Sequence, residues 1–312
     1  MADQTVQTSA PINLGKTLII VNPVAQSGKG SKNGHKTFDR LRVDYKQDVD
    51  LFYTKHDGHA MKIAEDSAKY DSVIVVGGDG VVHETASGIM RVPKAKRPVM
   101  GVIPVGSGND YARSLGMPFQ INRAVDTLMH AKVKEVDVGQ CNDKYFVETL
   151  SFGLDAGIAI DTMKARQKSK EKGFKLYFKC GIDRIMNHFE FFDFEATLDR
   201  GRKISGHSLI MAIQLGKTYG GGFKITPDAL LDDGFFNLCY SEGKLTRKKT
   251  LPLFALAAKG KHVNSKIVKF DKSKKISLKI KQLVPCQLDG EEYSNHKFEI
   301  KTHPKALKVY TA

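Results

Sequence analysis

Cysteine is scarce in this 312-residue chain: four residues, Cys141, Cys180, Cys239 and Cys286, far apart and with no CxxC pair. That argues against a zinc site and against a disulfide scaffold, and it leaves reduced, mostly buried thiols. No apolar run approaches the roughly 20 residues a membrane-spanning helix requires. The opening Met1–Ser9 is polar and lacks the basic-then-apolar plan of a secretory signal, so a flexible leader and a cytoplasmic protein are expected. Internal repeats and low-complexity stretches are missing. Acidic residues are in short supply, with 34 Asp and Glu against 49 Lys and Arg, a net charge of +15. Such an excess calls for an anionic partner: nucleic acid, a nucleotide or an anionic membrane surface.

The length suits two domains that together bury about three quarters of the unfolded surface. In the first third, strands at Thr17–Val21, Val49–Tyr53, Ser72–Val76 and Val99–Ile103 alternate with helical patterns at Gly58–Tyr70, after Asp79, and around Ile121–Leu128. Apolar strands separated by helices predict a parallel, three-layer α/β sheet. Near Val133 the pattern changes to short strands: Lys144–Thr149, Asp193–Leu198, Ser208–Leu215, Phe235–Tyr240, Ile267–Phe270, Lys275–Ile280 and Phe298–Lys301. They predict an antiparallel sandwich or barrel, interrupted by helices at about Asp155–Phe191 and Arg247–Lys261.

Three glycine loops end strands of the first domain. In Val75-Val-Gly-Gly-Asp-Gly-Val-Val-His83 a strand turns directly into a helix over three glycines, which lets a ligand approach bare backbone. The helix start directs free N–H groups at the turn and suits a phosphate. Asp79 sits where an anion site would not want a carboxylate, unless it holds a cation or a proton. Asn22-Pro-Val-Ala-Gln-Ser-Gly-Lys-Gly30 is a second cradle or an ordinary turn, and its spacing is not that of a Walker A loop. Pro104-Val-Gly-Ser-Gly-Asn-Asp110 is the third. Asp79 and Asp110 on one sheet edge make a plausible magnesium site, although Asp110 could simply cap the helix from Tyr111.

Together these stretches resemble the diacylglycerol kinase catalytic-domain family, which also holds sphingosine, ceramide and bacterial lipid kinases. The likeness rests on Asn22-Pro23 with Ser27-Gly28, Thr54 with Gly58-His59-Ala60, Gly77-Gly-Asp-Gly80 and Pro104–Arg113. It continues through Val136-Asp-Val-Gly139, Ala229–Gly234 and Asp289-Gly-Glu291, so its order and spacing cover nearly the whole chain. The resemblance implies an ATP- and Mg2+-dependent lipid kinase of α/β plus all-β class. Residues 1–132 with a returning 302–312 would form the nucleotide-binding α/β domain, and 133–301 an antiparallel β-sandwich that takes the lipid.

It further implies that Asn22, Pro23, Ser27, Gly28, Thr54, Gly77, Gly78, Asp79, Gly80, Val81, Val82, His83 and Ser107 contact ATP. Asp79, Asp110 and Asp137 would surround the catalytic magnesium. Leu230 and Phe235, by their carbonyls, and Asp233 would hold a second, structural metal. Glu291 or Asp79 would accept the proton from the lipid hydroxyl, though Asp289 and Glu291 read without the resemblance are equally a polar hairpin turn. The family usually has Thr where this chain has Val81, a change that could remove a hydrogen bond of about 0.5–1.5 kcal/mol.

Two basic clusters then suit an anionic membrane: Lys164, Arg166, Lys168, Lys170, Lys172, Lys175 and Lys179, and Lys259, Lys261, Lys266, Lys269, Lys272, Lys274 and Lys275. Each such charge near an anionic leaflet contributes about 1 kcal/mol. Phe174, Leu176, Tyr177 and Phe178 could enter the interface, or be core aromatics under a solvated helix face. No nucleic-acid motif accompanies the charge. An exposed sheet edge could pair two copies. Diacylglycerol is the expected substrate. An NAD kinase, or a lipid- or nucleotide-binding regulator weak in catalysis, are the alternatives.

Overall fold

The structure, a computed structural model of the chain, describes residues 10–166, 171–243 and 245–312. The leader Met1–Ser9, Lys168 and Lys170, and the Ser27 side chain lie outside the described residues. The first third runs β1 (Thr17–Val21), α1 (Ala25–Gly28), α2 (Gly30–Asp39), β2 (Val49–Tyr53), α3 (His59–Glu65), β3 (Ser72–Gly77), α4 (Asp79–Arg91), β4 (Val99–Pro104), α5 (Asp110–Ser114) and α6 (Ile121–Met129). Its strands are parallel in the order β2-β1-β3-β4. Every residue of β1 and β3 is buried, as strands covered on both faces must be. The helix pairs α2–α6 and α3–α4 supply the cover. Val21 lies opposite Val76, and Gly77 opposite Pro104, so the three glycine loops leave one edge of the sheet side by side.

The remainder runs β5 (Lys132–Cys141), β6 (Lys144–Phe146), β7 (Thr149–Gly153), α7 (Leu154–Arg166), α8 (Gly173–Asn187), β8 (Phe192–Thr197), β9 (Lys203–Ser208), β10 (Ile210–Gln214), β11 (Phe236–Ser241), α9 (Arg247–Ala257), β12 (Val268–Ser273), β13 (Lys275–Ile280), β14 (Cys286–Leu288), β15 (Glu291–Glu292) and β16 (Lys297–Thr311). The first sheet continues past β4 through β16, β13, β8 and β9, with β5 and β6 attached. A second, antiparallel sheet has the order β12-β11-β10-β7-β14-β15. Alternation along its strands explains the packing: Met211, Ile213 and Leu238 face Phe194, Leu278 and Phe298 of the first sheet in a sandwich core. Ala212 and Cys239 turn the other way, into a core under α7, α8 and α9.

Several sequence expectations change. The single helix expected over Asp155–Phe191 is two, α7 and α8, and the strand Lys144–Thr149 is divided between β6 and β7. The short strand at Phe298–Lys301 belongs to the 15-residue β16, whose pattern is hidden by Pro304 and a register shift between His303 and Leu307. The expected loop at Asn22–Gly30 is helical over α1, and α2 begins at Gly30. A Cβ on Gly30 would lie 2.8 Å from the Pro23 carbonyl oxygen. Leu176 and Tyr177 are buried, whereas Phe174, Ile182 and Met186 are exposed along α8. The four cysteines are free thiols. No helix among the described residues is long and apolar enough to cross a membrane.

Candidate active site

Two glycine loops meet without side chains between them. A Cβ on Gly78 would stand 2.9 Å from the Gly106 Cα, so only glycine permits the loops after β3 and β4 to approach this closely. The 13-residue helix α4 starts here and presents its N-terminal N–H groups to the edge. Beside it is a cleft of about 160 Å³ lined by Asn22, Pro23, Thr54, Gly80, Val81 and Glu291, among others. Val81 is buried, and its side chain packs so tightly on Gly77 that a Cβ on Gly77 would collide with it. Val82 is buried in the α/β core instead of the cleft, and Gly28 is the exposed last residue of α1, with φ +91°. The Ser107 carbonyl faces the start of α8, 2.7 Å from where a Gly173 Cβ would lie.

On the other side of Gly80 and Glu291, which line both spaces, is a polar cavity of about 100 Å³. Asp79, Asp110, Glu148, Arg166 and Asp289 are among its walls. Asp79 Oδ1 accepts the Tyr111 N–H at 3.3 Å, and Asp110 Oδ2 accepts the Gly221 N–H at 2.7 Å. Asp110 Oδ1 is buried and has no hydrogen-bond partner. Burial raises the Asp79 pKa against the Tyr111 N–H and the Arg166 charge. Burial, then the charge of Asp79, pushes Asp110 up to about 7. Burial and the neighbouring Asp110 and Asp79 hold Glu148 well above the usual carboxylate range. Such a concentration of acid is costly unless protons or a cation neutralise it.

The residues fit a divalent cation at Asp79 and Asp110. Across Gly108, an added Cβ would stand 2.7 Å from Asp79 Oδ2 and 3.2 Å from Asp110 Oδ2, and Asp110 Oδ1 accepts no hydrogen bond and lies 3.8 Å from Arg113 Nε. Among the described residues no three His, Cys, Asp or Glu side chains are grouped to hold an ion. Two carboxylates completed by phosphate oxygens and water is the ordinary magnesium arrangement. Asp137 does not join them. Its Oδ2 accepts the Gly234 N–H at 2.6 Å and its Oδ1 the Lys305 N–H at 2.8 Å, which fastens β16 to the turn before β11.

The second metal set also fits poorly. Asp233 Oδ1 accepts the Phe235 N–H at 3.1 Å, and its Oδ2 is paired with Lys272 Nζ at 3.0 Å, a cation the chain itself provides. The Leu230 side chain is exposed, and it is the Leu231 carbonyl that accepts the Asp137 N–H at 2.7 Å.

Sequence reasoning missed a buried link between the domains. His83 Nδ1 lies 2.9 Å from Asp289 Oδ2, and Asp289 also accepts the N–H groups of Val147, Glu148 and Thr149 at 2.7–2.9 Å. Burial lowers the His83 pKa, but the bond to Asp289 and the charges of Asp289, Glu291 and Glu84 together outweigh it and the net shift is upward. His83 therefore fixes the turn that carries Glu291. Glu148 was missed because one acid in the bend between β6 and β7 has no periodic signature.

Beyond the polar cavity, behind Tyr177 and Tyr219, which line both, is an apolar cavity under α7, α8 and α9 with about 60 Å³ of free volume. Its walls include Leu154, Ile158, Leu209, Phe223, Leu253 and Val268.

A cleft at the glycine edge, an acidic cavity and an apolar cavity thus lie in series, and the comparisons with known proteins assign the fold that holds them to a kinase family. Residues 16–141 match the diacylglycerol kinase catalytic domain, and residues 148–311 the YegS C-terminal NAD kinase beta sandwich-like domain. The chain belongs to the diacylglycerol kinase catalytic-domain family. It is 31% identical over 245 residues to a diacylglycerol kinase of Staphylococcus carnosus, covering 78% of this chain and 77% of that one. With a diacylglycerol kinase of Bacillus subtilis it shares 30% over 240 residues, 75% and 76% of the two chains. A diacylglycerol kinase crystal structure from Bacillus anthracis has the same fold, with a TM-score of 0.77 at 24% identity over 96% and 97% of the chains. An NAD kinase from Archaeoglobus fulgidus in complex with ATP is more distant, at TM-score 0.51 and 12% identity over 95% and 93%.

Proposed function

We propose that the chain is an ATP-dependent kinase that transfers the γ-phosphoryl group to a hydroxyl of a membrane lipid. Diacylglycerol, giving phosphatidic acid, is the first candidate, because relatives 30–31% identical to this chain over three quarters of their length are diacylglycerol kinases. The observation that carries the reading is the shared wall. Gly80 and Glu291 border both the cleft at the glycine edge and the acidic cavity, and the acidic cavity borders the apolar one through Tyr177 and Tyr219.

Phosphoryl transfer asks mainly for positioning and charge neutralisation. The α4 N-terminus and the bare Gly78 and Gly106 backbones would hold the phosphates. Magnesium, bound by Asp79 and Asp110, would supply the positive charge that the phosphates require. Tyr177 and Tyr219 would exclude water from the acceptor. Glu291, exposed to both spaces, is better placed as proton acceptor than Asp79, whose Oδ1 is engaged by Tyr111. A vesicle assay with labelled ATP and a lipid panel including diacylglycerol tests the reading. Nucleotide binding without transfer to any lipid, or transfer to NAD instead, refutes it.

The surface of α8 supports attachment to an anionic membrane as part of this reading. Phe174, Ile182 and Met186 are exposed at 41%, 40% and 50%, beside Lys175 and Lys179. An apolar stripe flanked by lysines suits an anionic leaflet. Ile182→Asp with Met186→Asp is expected to reduce sedimentation with anionic vesicles about tenfold or more while activity in neutral micelles persists. Equal losses in both would assign the stripe to folding.

A further inference from the structure

His262, in the segment after α9, is 2% exposed and lines the apolar cavity. Its Nε2 lies 2.9 Å from the Ile225 carbonyl oxygen, which can only accept, so Nε2 carries the proton. Burial lowers the pKa of the ring and keeps it neutral. Nδ1 is left with its lone pair, and it receives no hydrogen bond from the described residues. Other polar groups on the same walls are engaged. Thr250 Oγ1 donates to the Thr246 carbonyl at 3.0 Å, and Ser241 Oγ accepts the Leu209 N–H at 2.8 Å. A buried acceptor left bare among Ile225, Leu253, Ala257 and Val268 is destabilising, so it marks a place where a donor is missing.

The sheet beneath the cavity locates that donor along a bound lipid. Ser151, Ala212, Cys239 and Phe270 stand opposite one another in a row across β7, β10, β11 and β12. At one end of the row Ser151 hydrogen-bonds Asp155, which also accepts the hydroxyls of Tyr177 and Tyr219, the tyrosines shared with the acidic cavity. At the other end the His262 ring packs against Phe270, with 5.8 Å between centroids. Three strand spacings, about 14 Å, separate the two ends. A lipid whose reacting hydroxyl sits among the acids passes the tyrosines first. Only its hydrocarbon chain extends as far as His262.

We propose that His262 Nδ1 accepts a hydrogen bond from a hydroxyl carried well down the hydrocarbon chain, so that the apolar cavity selects chain-hydroxylated lipids. The inference rests on the lipid-kinase reading and narrows its substrate class at the chain, whatever the head group. A plain chain fills the cavity but leaves Nδ1 bare. A chain ketone is polar but brings no donor, so it adds a second unpaired acceptor.

The test uses the full protein, labelled ATP and neutral detergent micelles. Lipids of equal chain length carry a plain chain, a hydroxyl at successive positions of the outer half, or a ketone at the same positions. Each chain is offered on two head groups, diacylglycerol and a long-chain amino alcohol. In the wild type, kcat/KM for the best hydroxyl isomer is expected to exceed that for the plain chain about threefold to tenfold, the range of one net hydrogen bond. The matching ketone is expected to fall below the plain chain. His262→Phe, which keeps a ring but removes the acceptor, is expected to abolish the hydroxyl advantage while the plain chain is still phosphorylated. A wild-type hydroxyl ratio at or below one overturns the inference, as does an advantage that the ketone shares or that survives in His262→Phe. Equal losses on plain and hydroxylated chains in the variant overturn it too, because they assign the ring to packing. The wild-type comparison of hydroxyl with ketone decides even where the variant does not fold. Use of plain and hydroxylated chains alike removes the inference alone, whereas use of no lipid on either head group removes the kinase reading with it.

Discussion

Asp155→Asn is expected to change stability in a way that depends on pH. Burial, against the hydroxyls of Tyr219, Ser151 and Tyr177, pushes the Asp155 carboxyl from 3.8 up to about 6. The native fold therefore holds this proton more tightly than the unfolded chain does. Its contribution is complete below pH ~3.8, falls as pH rises to about 6, and is flat beyond. The ionised carboxylate thus withholds about 3 kcal/mol above pH 6. Asn retains an oxygen for the hydroxyls of Tyr177 and Tyr219 but carries no charge. Its amide nitrogen, which cannot accept the Ser151 hydroxyl as the carboxylate does, costs about 1 kcal/mol at any pH. The variant should then be more stable than the wild type by about 2 kcal/mol at pH 8 and less stable by about 1 kcal/mol near pH 4. In melting temperature the reversal amounts to about 5 °C across that range. Calorimetric scans of both proteins from pH 4 to 8 measure it. A difference between the two that stays constant with pH would refute the reasoning.

Asp79→Asn is expected to lower turnover about a hundredfold or more with an unchanged far-UV spectrum, because it weakens charge neutralisation at the phosphates; near-parental turnover in a folded variant would remove Asp79 from the cation site. Val81→Thr places a hydroxyl in a buried contact with Gly77 and should cost about 1 kcal/mol in urea unfolding. A stabilised Val81→Thr variant would contradict that packing. Lys272→Ala leaves Asp233 without its ion pair and should make the melting temperature rise more steeply with millimolar Mg2+ than in the wild type, where Asp79 and Asp110 alone would take the ion. A Mg2+ dependence no steeper than that of the wild type would show that Lys272 does not stand in for a metal.

Much of the first domain was legible because its strands are continuous apolar runs. Thr17–Val21 and Val49–Tyr53 have the bounds read from sequence, and Ser72 and Val99 begin their strands as expected. The glycine loops were legible for a related reason: residues that must lack a Cβ, such as Gly78, are visible as letters. The second domain was harder. Lys132–Glu135 is mostly exposed and highly charged, so β5 has little apolar alternation, and Lys203–Ser208 at the sheet edge was not recognised. In the site, Asp79 and Asp110 announced themselves through their glycines. Asp137 has the same chemistry but spends both oxygens on backbone N–H groups, which no spacing reveals. The same is true of Asp155, held in the apolar cavity by two tyrosine hydroxyls, and of Glu148, which shares the polar cavity with Asp79 and Asp110.

The last strand has a bearing on the order in which the molecule can assemble. β16 pairs with β13 at Lys297–Lys301, then with β5, and meets β4 at Val309 opposite Met100. The Tyr310 hydroxyl reaches Ser72 at 2.8 Å, 238 positions earlier. As the chain is synthesised, the sheet that carries the glycine loops keeps an unpaired edge at β4 until β16 emerges. The strands from β1 to β4 are consequently finished only by a segment made long after them. Removing residues 303–312 would be felt first at β4 and Ser72, far from the cut in sequence and adjacent to it in space.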